Sequence, residues 1–522
     1  MGGSPSDSNQ ARVDGASCFT RASKSRQQRR RAPIGSVPDR VAEFVRKIHR
    51  GPATQRAQEG SRALISFGVF MVTLGAGATS GISAILIPQL KDAKGKHAFS
   101  VELVSWVAAI SSLALFFGNV MSGYLMDRLG RRMSTLLLAA TFVAGWLIIG
   151  FSNDLMYLIL IGRFITGLCQ GWLGPLGPVY VGEISSPAYR GLFLAALSLA
   201  IAVGVFMSHL FGTFLHWSLA SLLCGFFPLF GGLILYYAPE SPSWLASRNR
   251  IDECIISYQW YRGNTVAMKT ELDKMIADLS SKEKNRGKMQ TLAANIKKPE
   301  FYKPLGIMTT FFVITQLSGV NVICAYTTDM MKELIGSGST SSYTYAAMLS
   351  IDVLRCVSLV AACIMLRRSG RRPMAIFSGV FTSLSLIALA LYLYLYSSGV
   401  VHHMSPFISL GFMGFYIIVS NLGICPLPWN MVGELFAVET KGLCSGISVM
   451  MTSIAFFAVV KTAPAMFISI GHHGTYLFYG LSTLLGTIFL FVCLPETKDK
   501  TLLQIEEHFR YGKKKDGKEV DI

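Results

Sequence analysis

The chain has 522 residues, of which 51% are hydrophobic and only 15% are charged, whereas soluble domains average roughly 25% charged residues. This composition excludes a soluble enzyme. The 48 Lys and Arg residues outnumber the 30 Asp and Glu residues and give a net charge of +18, which is typical of proteins that meet nucleic acid or a membrane surface. Ten cysteines without a CxxC pair argue against a disulfide scaffold or a zinc site.

Residues 1–62 form a polar, basic segment with 13 Lys or Arg residues and 5 acidic residues. No apolar stretch in this segment resembles the core of a secretory signal, so we expect no cleaved signal peptide. The segment is predicted to be a disordered cytoplasmic tail, and contact with anionic lipid headgroups is the alternative interpretation of its bases.

From residue 64 onward, apolar segments long enough to cross about 30 Å of hydrocarbon recur almost without interruption. Twelve helices are predicted, at 64–90, 101–126, 133–151, 155–181, 191–212 and 216–237, then at 304–329, 342–366, 373–396, 405–433, 442–470 and 474–494. The fold class is therefore an all-α membrane protein with twelve transmembrane helices. The predicted domains are an N-terminal bundle at 63–237, a linker with short helices at 238–303, a C-terminal bundle at 304–494 and a tail at 495–522.

The distribution of basic residues predicts the orientation of these helices. With both termini in the cytoplasm, the cytoplasmic segments hold 41 of the 48 bases and the outer loops hold 4. This asymmetry follows the positive-inside rule for membrane proteins. Only Arg163, Arg355 and Lys461 lie within the spans. The charge of +18 is thus explained by a membrane, and we expect no nucleic-acid partner.

The two halves carry matching motifs at offsets of 240, 251 and 256 residues. The matched pairs are Asp127-Arg128-Leu-Gly-Arg131-Arg132 with Arg367-Arg368-Ser-Gly-Arg371-Arg372, Glu183 and Arg190 with Glu434 and Lys441, and Pro239-Glu240-Ser241 with Pro495-Glu496-Thr497. A duplication of six plus six helices predicts two pseudo-symmetric bundles, an arrangement suited to alternating access around a midplane site.

These motifs place acids and bases of both halves at the cytoplasmic rim. We predict that opposite charges pair across the rim when the inner gate is shut and separate when it opens. The alternative is that they only fix the orientation of the loops. The candidate gating residues are Asp127, Arg128, Arg131, Arg132, Glu183 and Arg190 in the first half and Arg371, Arg372, Glu434 and Lys441 in the second.

In their order and spacing, the motifs resemble the sugar porter family of the major facilitator superfamily. The resemblance runs from about residue 64 to 509 and also rests on Gly162-Arg163 with Gly167, Pro178-x-Tyr180, Pro242-x-Trp244-Leu245, Gln316-Leu-Ser318-Gly319-x-Asn321 and Pro426-x-Pro428-Trp429. Residues 81–90 and Val460-Lys461-Thr462 are most similar to insect facilitated trehalose transporters and animal facilitative glucose transporters.

The resemblance implies a central cavity in which amides and an indole meet the sugar. Amides donate and accept hydrogen bonds in fixed directions, and a Trp ring packs against the apolar face of a pyranose. The resemblance assigns these roles to Gln316, Asn321 and Trp429. Four further family positions carry Thr315, Ser198, Asn421 and Thr452 in place of glutamine, glutamine, glutamate and asparagine. These changes indicate an altered or wider site.

Arg355 in the eighth span stands where the family usually has Asn or Gln. A charged side chain at mid-bilayer costs at least roughly 2.5 kcal/mol and indicates a functional site. Asp352 lies three residues earlier, on the same face of the helix. Either the two residues form a structural pair that faces the bundle interior, or Arg355 reaches the cavity and favours anionic solutes.

The resemblance also bears on energy coupling. Proton-coupled members usually carry an acid in the first span beside the arginine of the fourth, and here no acid lies between Arg62 and Leu90. We therefore predict facilitated diffusion of a small polar solute, a hexose or trehalose, by a monomer in the plasma membrane that uses no cofactor or metal and catalyses no reaction. The alternatives are a polyol or organic-anion carrier of the same fold and a non-transporting nutrient sensor.

Overall fold

The computed structural model describes residues 55–92, 101–153, 155–185, 187–262, 298–335, 341–403, 405–436, 441–498 and 502–511, together with residue 272. Most of the predicted tail at 1–62, much of the linker and the last residues of the chain lie outside this set.

The first half contains six long helices: α1 (Gln55–Asp92), α2 (Val101–Leu129), α3 (Arg131–Gly150), α4 (Met156–Ile184), α5 (Pro187–Phe214) and α6 (Trp217–Tyr236). Two short helices follow, α7 (Pro242–Ser247) and α8 (Ile251–Arg262). The second half contains α9 (Pro299–Leu317), α10 (Val320–Ile335), α11 (Ser341–Arg368), α12 (Arg371–Ser397), α13 (Pro406–Leu422), α14 (Leu427–Leu435), α15 (Lys441–Ser469) and α16 (Gly471–Cys493), and α17 (Leu502–Tyr511) comes last.

Twelve helical segments of the described residues are long and apolar enough to cross a membrane. Ten of them are the single helices α1–α6, α11, α12, α15 and α16. The seventh is formed by α9 and α10 together and the tenth by α13 and α14. The prediction of an all-α membrane fold with twelve spans is confirmed, and the short helices α7 and α8 lie in the predicted linker.

Two spans are broken at the positions where glycine and proline interrupt the apolar sequence. Between α9 and α10, Gly319 adopts a φ of 82° that only glycine reaches without strain. Between α13 and α14, Pro426 and Pro428 stand at the start of the new helix, where a missing backbone N–H is tolerated. Side chains bond backbone groups that both breaks free, since Tyr416 donates to the carbonyl of Ser318 at 2.7 Å and the N–H of Ile424 donates to Ser378 Oγ at 2.8 Å.

We call the end of the bundle with the α2–α3 and α11–α12 turns the motif end, and the other the opposite end. Three large apolar cores show how the two halves contact each other. One core lies wholly in the first half. A second joins Ile85, Ile87, Ala108 and Ala109 of the first half to α10, α11, α13 and α15 of the second. The third, around Phe301 and Met431, contains only residues of the second half among those described. The halves therefore share a core toward the opposite end.

Candidate functional site

A small cavity lies between the two halves. The first half lines it with Ser80, Ser83, Ala108, Ser111, Ser112, Arg163 and Gln170, and the second half with Asn321, Cys324, Ala325, Phe456 and Val460. The cavity volume within which the centre of a water molecule can lie is about 10 Å³, which is enough for one water molecule. A larger solute therefore requires the halves to move apart.

Arg163 is the only charged side chain in this lining, and all its partners are neutral oxygens. Its guanidinium donates to the carbonyls of Thr79 (2.6 Å) and Val107 (3.1 Å) and to the hydroxyls of Ser83 (2.6 Å) and Ser111 (2.8 Å). These four bonds satisfy a buried charge without a carboxylate. The contacts agree with the sequence expectation that the first span offers Arg163 no acid.

Glycines of α4 position Arg163 for these bonds. A Cβ placed on Gly167 or Gly171 would collide with the backbone carbonyls of Ser111 and Leu115 in α2. Small residues at such contacts let membrane helices approach closely. The arginine on α4 can therefore reach the α2 carbonyl and hydroxyl.

Amide side chains reach the cavity from both halves. Asn321 lines it from the second half, and its Nδ2 donates to Gln316 Oε1 at 2.5 Å across the break at Gly319. From the first half, Gln170 donates from Nε2 to Ser80 Oγ at 3.0 Å. Sequence reasoning identified Gln316 and Asn321 but missed Gln170, although an amide inside an apolar span was an available signal.

Three other predicted binding residues are buried and bonded to backbone carbonyls. Thr315 Oγ1 lies 2.9 Å from the carbonyl of Ile424, which ties α9 to the break in the tenth span. Asn421 and Thr452 each donate to the carbonyl four residues earlier, at 2.8 and 2.9 Å. None of the three lines the cavity in this conformation.

The structure also leaves Ser198 and Trp429 outside the cavity lining. Ser198 is half-buried on α5. Trp429 is 48% exposed, and its ring packs edge-on against Phe312 with centroids 5.1 Å apart. The residues assigned to sugar binding are therefore not gathered at one point in this conformation.

Arg355 takes the first of the two arrangements considered from the sequence. Its Nη1 lies 3.2 Å from Asp352 Oδ1, and both side chains are buried. Arg355 does not line the cavity. A third residue, His209 of α5, contacts Asp352 from the other half, with Nδ1 2.5 Å from Oδ2. Sequence reasoning missed His209, a titratable residue inside an apolar span.

At the motif end, the first half forms a network around two carboxylates. Arg131 Nη2 donates to Glu183 Oε1 at 2.9 Å. The backbone N–H groups of Arg131 and Arg132 donate to Glu240 Oε1 at 2.8 and 3.0 Å. Ser241 Oγ donates to the other oxygen of Glu183. The network ties the α2–α3 turn to the ends of α4 and α6.

The second half repeats this network. Arg371 Nη2 donates to Glu434 Oε1 at 2.9 Å, and Thr497 Oγ1 donates to Glu434 Oε2 at 2.7 Å. The backbone N–H groups of Arg371 and Arg372 donate to Glu496 at 2.9 and 3.1 Å. Glu240 and Glu496 belong to the matched Pro-Glu motifs of the two halves, but the sequence did not predict that they bind the backbone of these turns.

The pairing of opposite charges across the rim, which the sequence predicts for a shut inner gate, stays a prediction. Each rim pair that the described side chains form joins two residues of one half. The pairs form within each half because the α2–α3 turn and the α11–α12 turn each pack over the end of a helix in their own bundle. The guanidinium of Arg128 lies over the Tyr124 ring, and the backbone carbonyl of Asp127 accepts from Trp244 Nε1 at 3.1 Å. The side chains of Arg190 and Lys441 lie outside the described set.

The family described as sugar (and other) transporter matches residues 62–509. The chain belongs to this family. The match confirms the family resemblance, and together with the twelve apolar helices it identifies a multi-pass membrane protein.

Among its relatives are facilitated trehalose transporters of insects. The chain is 26% identical to that of Apis mellifera ligustica over 483 residues, which cover 91% of this chain and 93% of the honeybee protein. It is 29% identical to that of Anopheles gambiae over 440 residues, which cover 83% of this chain and 54% of the mosquito protein. The chain thus spans about half the length of several curated relatives that it matches.

Solved structures of sugar transporters share the fold. A proton:xylose symporter bound to 6-bromo-6-deoxy-D-glucose aligns with a TM-score of 0.70 at 19% identity, over 87% of this chain and 100% of the other. An inward-open xylose transporter from E. coli gives the same TM-score and identity over 85% of this chain and 98% of the other. These likenesses confirm the two-bundle architecture of the major facilitator fold.

Proposed function

We propose that the protein is a facilitative transporter that moves a sugar, a hexose or trehalose, by alternating access. The observation that carries the proposal is the cavity between the halves, where the one cation, Arg163, is satisfied by neutral oxygens. A neutral polyol fits such a lining because it offers hydroxyls rather than a charge. The trehalose transporters among the relatives support the choice of substrate.

The orientation that we propose follows the basic residues. The motif end faces the cytoplasm together with both termini, and the opposite end faces outward from the plasma membrane. The halves that move are the bundles at 63–237 and 304–494, joined by the linker at 238–303 and followed by the tail at 495–522. A core shared toward the opposite end closes the outer side in this conformation. Both halves needed for the cycle lie in one chain, so we propose a monomer that contacts only lipid.

We infer that the sugar is held by Gln316 and Asn321 of one half and Gln170 of the other. Trp429 and Ser198 would approach when the halves rock, while Thr315, Asn421 and Thr452 shape the walls with side chains shorter than the family's or uncharged. We propose that the rim residues first stabilise the turns of each half and then meet across the rim when the inner side closes.

The pairing of Arg355 with Asp352 removes the main support for an organic-anion carrier, because the buried guanidinium is already opposed by a carboxylate. A polyol carrier and a non-transporting sensor are separated from a sugar transporter by experiment. The protein, purified and placed in liposomes, is assayed for exchange of labelled monosaccharides, disaccharides, polyols and organic anions.

We expect exchange of a hexose or trehalose and a fall of at least about fivefold in the Asn321→Ala variant, since a lost hydrogen bond to a solute is worth about 1 kcal/mol or more and the amide also orients Gln316. Thr141→Ala is the control, because Thr141 is half-buried on α3, lies outside the cavity lining and bonds only its own helix. Binding of a sugar without exchange in either direction would favour the sensor.

A further inference from the structure

His209, Asp352 and Arg355 form a buried group of titratable side chains that joins the two halves. His209 lies on α5 of the first half, and Asp352 and Arg355 lie on α11 of the second. His209 and Asp352 are fully buried, and Arg355 is 4% exposed. The group lies outside the lining of the central cavity. The transport mechanism proposed above makes no use of it.

Both ring nitrogens of His209 face oxygen atoms. Nε2 lies 3.1 Å from the carbonyl oxygen of Gly81, and Nδ1 lies 2.5 Å from Asp352 Oδ2. Carbonyl and carboxylate oxygens only accept, so both contacts are hydrogen bonds only when two hydrogens are present. A neutral imidazole carries one hydrogen and would present a lone pair to one of the two oxygens. The two contacts together therefore require one further proton, on either the ring or the carboxyl group.

The surrounding groups do not replace this proton. The nearest neighbour in α1 is a backbone carbonyl, that of Gly81. On α11, Arg355 approaches the other carboxylate oxygen, and the remaining titratable groups near Arg355 are Cys324, Cys356 and Tyr416. With the shared proton the group carries one net positive charge, and without it none. Arg355 accompanies Asp352 on the same helix, whereas His209 makes the contact between the halves.

The contact lies where the transport cycle must open. His209 is five residues from the end of α5 at the opposite end, within the part of the molecule where the halves share a core. In the alternating access proposed above, opening of that end would separate α5 from α11 and pull His209 away from Asp352. The shared proton would then meet the solution on that side. It would enter and leave from one side only, so no proton would cross the membrane.

We propose that His209 and Asp352 form a proton-binding site between the halves, and that the bound proton holds the opposite end closed. Raising the pH removes the proton, sets the imidazole lone pair against either the carboxylate or the Gly81 carbonyl oxygen, and favours opening. Histidines ordinarily exchange their proton between about pH 5 and 8. The effect on sugar flux rests on the proposed function, whereas the effect on conformation does not.

The conformational effect is measured without sugar. Spin labels are attached at Phe214→Cys and Tyr343→Cys, two exposed positions at the ends of α5 and α11, in a protein whose partly exposed cysteines are replaced by alanine. Distances are recorded in lipid nanodiscs from pH 5.5 to 8.5. A charged hydrogen bond is worth roughly tenfold or more in an equilibrium constant. We expect the ratio of long to short distances to rise at least about tenfold with pH.

His209→Gln keeps an amide donor but cannot titrate, and it should abolish the pH dependence. His403→Gln, an exposed histidine of the α12–α13 loop, should leave it unchanged. If His209→Gln does not fold, the distances measured from pH 5.5 to 8.5 in the protein that keeps His209, Asp352 and Arg355 test the proposal. Distances that do not respond to pH overturn the proposal, and so does a response that persists in His209→Gln.

Flux gives a second, separable result. Equilibrium exchange of sugar in liposomes should rise with pH, and a pH gradient should not concentrate sugar. Accumulation of sugar driven by the pH gradient would contradict the proposal that the proton enters and leaves from one side only. Distances that respond to pH in a protein that exchanges no sugar would refute the transport proposal and leave the proton site standing. Sugar exchange with distances indifferent to pH would do the reverse.

Discussion

At the motif end, the networks of the two halves show how a duplicated structure can keep the same hydrogen bonds in different surroundings. In each half, an arginine pairs with a glutamate at 2.9 Å, and two successive backbone N–H groups bind a second glutamate. Even the side bonds agree, since Arg132 and Arg372 donate to the carbonyls of Tyr236 and Phe491 at 2.6 and 2.7 Å. The duplication inferred from motif offsets is thus visible at the level of single hydrogen bonds.

The halves differ in what covers these bonds. In the first half, Tyr261 of α8 donates to the carbonyl of Pro239 at 2.9 Å, and Ser257 Oγ donates to the carbonyl of Glu240. Burial under this cover raises the pKa of Glu240, although backbone N–H groups oppose the shift. At Glu496, burial also acts to raise the pKa, but the backbone N–H donors outweigh it and the pKa is lowered. Closely matching sets of backbone bonds, to which Glu496 adds one from the N–H of Lys498 at 2.9 Å, therefore give opposite pKa shifts when the burial of the carboxylate changes.

The largest expected contrast comes from the glycines that precede the paired arginines. Gly130 adopts a φ of 92°, whereas Gly370 has a φ of −65° that any residue adopts. A Cβ at either position meets the carboxylate of the adjacent glutamate. Gly130 has a ψ of 176°, and Gly130→Ala adds to this clash the strain of a backbone conformation that essentially only glycine adopts, which costs about 1–3 kcal/mol more. Thermal unfolding in detergent should show a lower Tm for Gly130→Ala than for Gly370→Ala. Equal losses would mean that the turns differ less than their backbones indicate.

A second contrast concerns pH. The lowered pKa of Glu496 means that its carboxylate stabilises the fold above the ordinary glutamate pKa of about 4.3, and that this is lost as the pH falls further. The raised pKa of Glu240 has the opposite sign, because protonation on lowering the pH toward that ordinary value increases stability. At pH 7.5, Glu496→Gln should cost about 1 kcal/mol and Glu240→Gln less.

The measurement is the Tm of each variant relative to the unsubstituted protein at pH 7.5 and pH 5. From pH 7.5 to pH 5, the Tm of Glu240→Gln should fall relative to that of the unsubstituted protein. The Tm difference between Glu496→Gln and the unsubstituted protein should stay constant. Parallel behaviour of the two variants would contradict the different cover of the two carboxylates.

Much of the fold could be predicted because it depends on local sequence. The twelve spans follow from apolar length, and the breaks follow from Gly319 and from the prolines at 426 and 428, whose backbone requirements act at their own positions. Motif offsets predicted the paired bundles. The partners of the rim charges could not be predicted, because composition places Arg131 and Glu183 at one end without showing which residue each side chain meets.

The site depends on how the helices are rotated, and sequence carries little of that information. His209 meets Asp352 over a separation of 143 residues, and no local pattern connects them. Counting along the motifs placed Thr315 and Thr452 at family binding positions, yet their short side chains bond nearby carbonyls. The Asp352 and Arg355 pair was accessible because three residues along one helix bring two side chains to the same face.

The smallest expected contrast lies between the two rim ion pairs. Side-chain exposure is 15% and 18% for Arg131 and Glu183, against 22% and 31% for Arg371 and Glu434. Water weakens the more exposed pair, so double-mutant cycles with glutamine at each position should give a coupling free energy of about 1 kcal/mol in the first half and about 0.5 kcal/mol in the second. Chemical unfolding in mixed micelles measures both cycles. Stronger coupling in the second half would mean that cover by α7 and α8 does not govern the rim charges, and the contrast between the halves would then rest on Gly130 and on the opposite pKa shifts of Glu240 and Glu496.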